Sequence, residues 1–105
     1  MKMPATVRIG GVEYPVVYAP NVRDGATVLY GQIDYDGCAI TLSTSENMDH
    51  QRQCITLLHE ILHGIVNHSG MEIKNEEEIV KMFAKGLYQV LQDNEKRLFD
   101  ITEAT

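Results

Sequence analysis

The spacing of the hydrophobic residues changes once along the chain, near residue 43, and this change constrains the fold more than any other feature. On the N-terminal side hydrophobic and polar residues alternate, as around Val12, Tyr14 and Val16. Such alternation is typical of half-buried β-strands. On the C-terminal side hydrophobic residues recur every three or four positions, which is typical of helices that bury one face. We therefore expect an α+β fold in which a small antiparallel sheet is followed by two packed helices.

Two turn signals divide the strand region, which covers residues 1–42. Gly10-Gly11 and Asp36-Gly37 each lie between alternating segments. Both dipeptides are hairpin signals, and Asp36-Gly37 suits a two-residue type I′ turn, in which both turn residues have positive φ. We expect a β-hairpin at each of them. Pro15 lacks a backbone donor, so we expect it at a sheet edge.

The first helical segment spans residues 43–69. Its hydrophobic positions at helical spacing are Ile55, Leu58, Leu62 and Ile65, with Leu57 and Ile61 on a second side. This arrangement indicates burial over most of the helix circumference. Ser43 and Glu46 have the spacing of a capping box, and Asp49 is a second candidate cap. Gly70 is suited to the left-handed position that ends a helix.

The second helical segment, residues 75–97, begins near Asn75 with three glutamates, which interact favourably with the helix dipole in the first turn. Its hydrophobic stripe consists of Ile79, Val80, Phe83, Ala84, Leu87, Val90 and Leu91. We expect this helix to end near Lys96 and to pack on the first helix. No interdomain linker interrupts the chain, so residues 1–105 are expected to form a single domain.

Composition and charge argue against several classes of protein. The formal net charge is −6 and the nine Lys and Arg residues are scattered, so no surface for nucleic acid or anionic membranes is expected. No stretch approaches the roughly 18 apolar residues of a membrane span, and no apolar leader segment follows the first methionine. Two cysteines, Cys38 and Cys54, do not make a disulfide framework. Reduced thiols and a cytoplasmic location are therefore expected.

The motif His59-Glu60-Ile61-Leu62-His63 is the strongest chemical signal. Histidines four residues apart lie on one face of a helix, about one turn of 5.4 Å from each other, and both can bind one tetrahedral zinc ion at about 2.0–2.1 Å. Glu60 is rotated by about 100° from His59, which suits it to activate a water molecule on the metal as a general base. Coincidence would produce this motif in roughly one chain in 80 of this composition.

The other histidines are poorly placed as third ligands. His68 follows His63 by five residues and points away from the face that the two ligands share. The extended motif with Gly and His three and six residues after His63 is absent, because Val66 and Ser69 occupy those positions. His50 precedes the helix proper and is expected to be a capping or solvent-exposed residue.

The glutamates at the start of the second helix are the remaining source of a third ligand. Glu77 heads the row of residues that must pack on the first helix, and Glu76 also lies on the apolar side. Glu78 lies on the polar side with Lys81 and Lys85, where we expect it to be solvated. Helical geometry alone leaves Glu76 and Glu77 close to equal.

With these motifs the chain resembles the ImmA/IrrE-like metallopeptidases, especially their short members from phages and mobile elements. The resemblance runs through three segments, Leu29-Tyr-Gly-Gln-Ile33, Thr56-Leu-Leu-His-Glu-Ile-Leu-His-Gly64 and Phe83-Ala-Lys-Gly-Leu-Tyr88. In that family a glutamate six residues before the Phe/Leu-Ala pair is the third zinc ligand, and that position here is Glu77. The resemblance therefore implies one zinc ion bound by His59, His63 and Glu77.

The resemblance also implies a minimal zincin-like domain that hydrolyses peptide bonds of a protein or peptide substrate. The family often has Asp or Asn four residues after the ligand glutamate, where this chain has Lys81. Hydrogen-bonding support of the ligand is therefore not implied here. Some members act on repressors of mobile elements, but larger members carry additional C-terminal segments, so the substrate does not transfer with the fold.

The leading hypothesis is a zinc-dependent endopeptidase with Glu60 as general base, an open fourth metal position and a peptide lying extended against a sheet edge. The alternative is a non-catalytic zinc-stabilised interaction module of a phage or mobile element, in which His68, Cys54 or a second glutamate is the fourth ligand. A third hypothesis is an interaction protein that keeps the fold without turnover. Tyr88, Tyr35 and His68 are candidate donors to an oxyanion, although packing or surface roles are more common for such residues.

Overall fold

The computed structural model describes residues 2–45, 47–95 and 98. Within them the elements are, in chain order, β1 (Thr6–Ile9), β2 (Val12–Ala19), β3 (Arg23–Asp24), β4 (Thr27–Val28), β5 (Gly31–Asp34), β6 (Ala39–Ser43), α1 (His50–Ser69) and α2 (Glu76–Asp93). Strands precede two helices, which confirms the α+β class. No helix in this part of the chain is long and apolar enough to cross a membrane.

The main sheet contains four strands in the order β1-β2-β6-β5. The β1–β2 and β5–β6 pairs are antiparallel, whereas β2 and β6 run parallel. The sheet is therefore mixed. The expectation of an antiparallel sheet is wrong for the β2–β6 pair and correct for the other two pairs. Alternation does not report strand direction, and the connection from β2 to β6 is long enough to return the chain in the same direction because it contains the β3–β4 ribbon and β5.

The two predicted hairpin turns differ from each other. Gly10 and Gly11 have φ of 57° and 82°, as a two-residue type I′ turn requires. At Asp36-Gly37 the prediction of such a turn is wrong, because four residues separate β5 from β6 and the positive φ, 51°, falls on Cys38. Asp34 Oδ1 instead accepts hydrogen bonds from two backbone N–H groups of this loop, at 3.0 and 3.1 Å.

Pro15 lies in β2, an interior strand rather than the edge strand that we expected. It faces Thr6 of β1. The parallel ladder with β6 begins one residue later, where Val16 faces Ile40. The missing N–H of Pro15 therefore falls just before the ladder, which explains how an interior strand tolerates a proline.

The helix α1 packs on one face of the sheet, and α2 packs on α1. The buried cluster between α1 and the sheet consists of Ile9, Tyr14, Val16, Ile40, Leu42 and Leu57. Of the candidate caps, Asp49 is the one used, since its side chain accepts a 2.8 Å hydrogen bond from the Arg52 N–H. Ser43 instead ends β6. As predicted, α1 ends before Gly70, which has φ of 73°.

The helix α2 begins after Asn75, whose φ is 62°. Its buried residues are Val80, Ala84 and Tyr88. The last helical residue is Asp93; the predicted end near Lys96 lies outside the described residues, as does Glu46 of the predicted capping box.

Two glycines allow α1 and the sheet to approach closely. A Cβ atom at Gly31 would lie 2.5 Å from Thr56 Cγ2, and one at Gly64 would lie 2.8 Å from Ile9 Cδ1 and 3.1 Å from Ile33 Cδ1. Larger side chains at these positions would push α1 away from the sheet. The close approach holds β5, which is a sheet edge, beside the motif-bearing part of α1.

Candidate metal centre

The helix packing brings His59, His63 and Glu77 together. The Nε2 atoms of the two histidines lie 3.2 Å apart. Glu77 Oε1 lies 2.8 Å from His59 Nε2, and Glu77 Oε2 lies 2.8 Å from His63 Nε2. Two histidines of α1 and one glutamate of α2 thus each present one donor atom, and the three atoms are close enough together to bind a single ion.

The donor set fits zinc. Two imidazoles and one carboxylate are a common ligand set of catalytic zinc sites, which keep three protein ligands and one open position. Bonds of about 2.0–2.2 Å in a tetrahedron separate the ligand atoms by about 3.3–3.6 Å. The observed separations of 2.8–3.2 Å are close to these values. The three donors can therefore converge on one ion with small side-chain movements.

Glu76 contacts the other ring nitrogen of His63. The distance from Glu76 Oε2 to His63 Nδ1 is 2.6 Å. Because a carboxylate only accepts hydrogen bonds, Nδ1–H donates to Glu76, and in the metal-free protein Nε2–H donates to Glu77. Loss of the Nε2 proton leaves the lone pair that a metal can bind, while Glu76 keeps the proton on Nδ1. The structure thus separates the two competing glutamates: Glu77 lies at the Nε2 atoms and Glu76 at Nδ1. Glu78 is exposed, as expected.

The two histidines differ in their electrostatic surroundings. Burial lowers the pKa of both. In His63 the hydrogen bonds to Glu76 and Glu77 outweigh burial, and the pKa is raised overall. In His59 burial prevails over the opposing charge of Glu77, and the pKa is lowered. The lowered pKa favours the neutral form of His59, which is the form that binds a metal.

Glu60 is buried, with 7% of its surface exposed. Burial raises its pKa to about 7, and the charge of Glu77 adds to this, while the charge of His63 and the hydrogen bond with the backbone of Ile33 oppose it. A carboxyl group with a pKa near neutral pH can both accept and return a proton. The predicted general base is therefore placed beside the three donors in an environment suited to proton transfer.

A cleft of about 610 Å³ opens beside the centre. The edge strand β5 lines it through Gly31, Gln32 and Ile33, and α2 lines it through Lys81 and Lys85. The predicted ligands and Glu60 also line this cleft. Groups that could bind a metal and activate water are thus accessible to a molecule lying along β5.

Tyr35 is the one of the three candidate oxyanion donors that lines the cleft. Burial raises the pKa of its hydroxyl, and the charges of Glu76 and Glu60 raise it further, so the hydroxyl stays protonated and can donate. Tyr88 is buried in α2. His68 lies against Gly10, where a Cβ atom would overlap its imidazole ring.

The two cysteines are free thiols, as expected. Cys54 is buried, and its Sγ atom lies 3.6 Å from Met3 Sδ and 3.5 Å from His50 Nε2. Burial raises the pKa of the Cys54 thiol. Cys54 thus has the packing role predicted for a small hydrophobic residue.

No protein-family model, no curated protein and no solved structure matches the chain. The site is therefore the basis on which a function can be proposed. On an α+β scaffold, three convergent donors and a buried carboxyl group lie at the side of a cleft.

Sequence reasoning missed the hydrogen bond between Glu76 and His63. It weighed Glu76 only as a ligand, in competition with Glu77. The available signal was the pair of adjacent glutamates on the apolar side of α2, because neighbouring helical residues can reach two different atoms of one ring.

Proposed function

We propose that this protein is a zinc-dependent metallopeptidase that hydrolyses peptide bonds of a protein or peptide substrate. The observation that carries the proposal is the convergence of His59, His63 and Glu77 with buried Glu60 beside them in one cleft. The motif in α1 and the segment from Phe83 to Tyr88 support assignment to the ImmA/IrrE-like metallopeptidases, which the protein resembles in sequence.

In this proposal His59, His63 and Glu77 hold one zinc ion. When bound there, the ion would act as a Lewis acid towards the scissile carbonyl and would lower the pKa of water towards about 7. Glu60 accepts a proton from the attacking water, whose oxygen forms a bond to the carbonyl carbon. When the carbon–nitrogen bond breaks, Glu60 returns that proton to the leaving amine.

An extended peptide is the substrate shape that fits the cleft. β5 has β6 on one side and is the last strand of the sheet on the other. An extended chain can pair with such an edge through its backbone, which places its carbonyl groups in a regular row. Because β5 and the three donors line the same cleft, one of these carbonyls can lie next to the centre.

The alternative of a closed, non-catalytic zinc module requires a fourth protein ligand. His68 lies against Gly10, Cys54 packs near Met3, and Glu76 is hydrogen-bonded to Nδ1 of His63. Among residues 2–45, 47–95 and 98, the cluster of donors contains three residues. This arrangement favours an open fourth position and therefore the peptidase.

Replacing Glu60 by Gln tests the proposal. The variant keeps the size of the side chain but cannot accept the proton, so zinc content should equal that of the wild type while peptide cleavage falls by about 10²–10⁴-fold. The measurement is zinc content by elemental analysis, together with mass spectrometry of a mixture of unstructured peptides. Glu78→Gln, which makes the same change at an exposed position of α2, is the control.

The outcomes separate the hypotheses. Undiminished cleavage by Glu60→Gln would show that the assigned general base is wrong. Wild-type protein that binds zinc but cleaves none of the peptides would favour the zinc module. Protein that binds no zinc after zinc-replete purification would favour the interaction protein without turnover.

A further inference from the structure

We infer that Glu76 is a positioning residue of the metal centre, which holds the His63 ring in the tautomer and orientation that direct Nε2 towards the metal. The inference rests on the metal site of the proposed function and adds a residue that does not itself bind the metal. The contact that supports it is the 2.6 Å hydrogen bond between His63 Nδ1 and Glu76 Oε2.

This hydrogen bond is partly shielded from water. The side chains of His63 and Glu76 are 15% and 33% exposed, whereas that of Glu77 is 69% exposed. A carboxylate acceptor makes the bond charge-assisted and therefore shorter and stronger than one between neutral groups. Shielding reduces competition from solvent and screening by salt. Glu76 is thus better placed to orient the ring than an exposed surface partner would be.

The backbone explains how two adjacent glutamates serve one ring. Glu76 is the first residue of α2, and it follows Asn75, whose left-handed conformation turns the chain into the helix. Successive helical residues diverge by about 100°. Glu76 and Glu77 therefore approach the imidazole from two directions, one at Nδ1 and the other at Nε2.

The hydrogen bond matters for metal binding because a neutral imidazole has one lone pair. With the proton held at Nδ1 by Glu76, that lone pair is on Nε2, which lies 3.2 Å from His59 Nε2. Without an acceptor at Nδ1 the ring can exchange tautomers or rotate. Loss of such a partner typically weakens metal binding by about 10–100-fold.

Zinc affinity measured by competition with a chromophoric chelator tests the inference in wild-type protein, Glu76→Ala and Glu78→Ala. Glu78 is the matched control, since it has the same charge and helical turn but is exposed. Glu76→Ala should raise the Kd for zinc about 10–100-fold, and Glu78→Ala should leave it nearly unchanged. Glu76→Gln keeps an acceptor oxygen and should show an intermediate Kd.

Two further readouts separate positioning from a general loss of structure. Circular dichroism of the metal-free variants reports whether they fold. If Glu76→Ala fails to fold, Glu76→Gln and Glu78→Gln are compared instead of the alanine variants. The visible absorption of the cobalt-substituted protein reports ligand geometry. It should change in the Glu76 variants and stay as in the wild type in the Glu78 variants.

Equal zinc affinity and equal cobalt spectra in the Glu76 and Glu78 variants would overturn the inference, while zinc binding by the wild type would leave the proposed metal site standing. Absence of zinc binding by the wild type would overturn both. A Glu77→Ala variant measured in parallel separates loss of a ligand from loss of positioning, because it should weaken binding more than Glu76→Ala.

Discussion

The Nε2 atoms of His59 and His63 lie 3.2 Å apart on successive turns of α1. Their rings meet edge to face, with centroids separated by 4.8 Å. When both imidazoles are neutral with their lone pairs directed at each other, the two nitrogens repel. A cation between them removes this repulsion and bonds to both.

Zinc is therefore expected to stabilise the folded protein. At free zinc of about 100 times the Kd, the free energy of unfolding should rise by about 2.7 kcal/mol. Denaturant titrations in zinc and in a chelator measure this difference. Glu77→Ala should remove most of it, and Glu78→Ala should keep it. An equal gain in both variants would exclude Glu77 as a ligand.

In the metal-free protein, Glu60→Gln is expected to increase stability at alkaline pH. The pKa of Glu60 is raised from 4.5 to about 7, so its ionisation is less favourable in the folded chain than in the unfolded chain. The ionisation of Glu60 therefore lowers the free energy of unfolding. This loss is absent below about pH 4.5 and complete above about pH 7, where it reaches at most about 3 kcal/mol.

Denaturant titrations in chelator at pH 4.5 and pH 8 check the effect of Glu60→Gln. The variant should be more stable than the wild type at pH 8 and similar to it at pH 4.5. Glu78→Gln, at an exposed position, should show no such difference. If Glu60→Gln is less stable than the wild type at pH 8, burial does not raise the pKa of Glu60 as stated.

Two glycine-to-alanine substitutions in the helices should change the stability of the protein in opposite directions. A Cβ atom at Gly64 meets Ile9 Cδ1 at 2.8 Å, whereas one at Gly86 meets nothing within 4 Å. Gly64→Ala should lower the free energy of unfolding by about 1–3 kcal/mol, and Gly86→Ala should raise it by about 0.5–1 kcal/mol.

Thermal and denaturant unfolding measure both glycine variants. Adding Ile9→Val to Gly64→Ala should recover part of the loss, because it removes the methyl group that the new Cβ atom meets. A Gly64→Ala variant as stable as the wild type would show that α1 does not pack this closely on the sheet.

The lysines of the cleft should favour acidic peptides. Lys81 and Lys85 line the cleft on the α2 side. Under the proposed function, Lys85→Glu should lower kcat/KM for peptides with acidic side chains by about two- to five-fold, with a smaller effect at high salt. Lys74→Glu, outside the residues that line the cleft, is the control. Equal effects of both variants would contradict a role for Lys85.

The sequence predicted best those features that depend on residues close together in the chain. The spacing of His59 and His63 places them on one helix face, and Gly70 ends that helix as expected. The prediction of a two-residue type I′ turn at Asp36-Gly37 was wrong, although a turn also depends on neighbouring residues. There the side chain of Asp34 binds the loop backbone and competes with the dipeptide preference.

The sequence alone thus determined the α+β class, the helical histidine pair with Glu60 beside it, and the placement of acidic side chains at the start of α2. These follow from periodicity and helical geometry. Tertiary structure decided the parallel pairing of β2 with β6 and the separate positions of Glu76 and Glu77. The buried face of α2 runs through Val80, Ala84 and Tyr88, while Leu87 is 36% exposed. This rotation of α2 about its axis turns Glu77 to the Nε2 atoms, and a sequence cannot report it because it depends on how two helices pack.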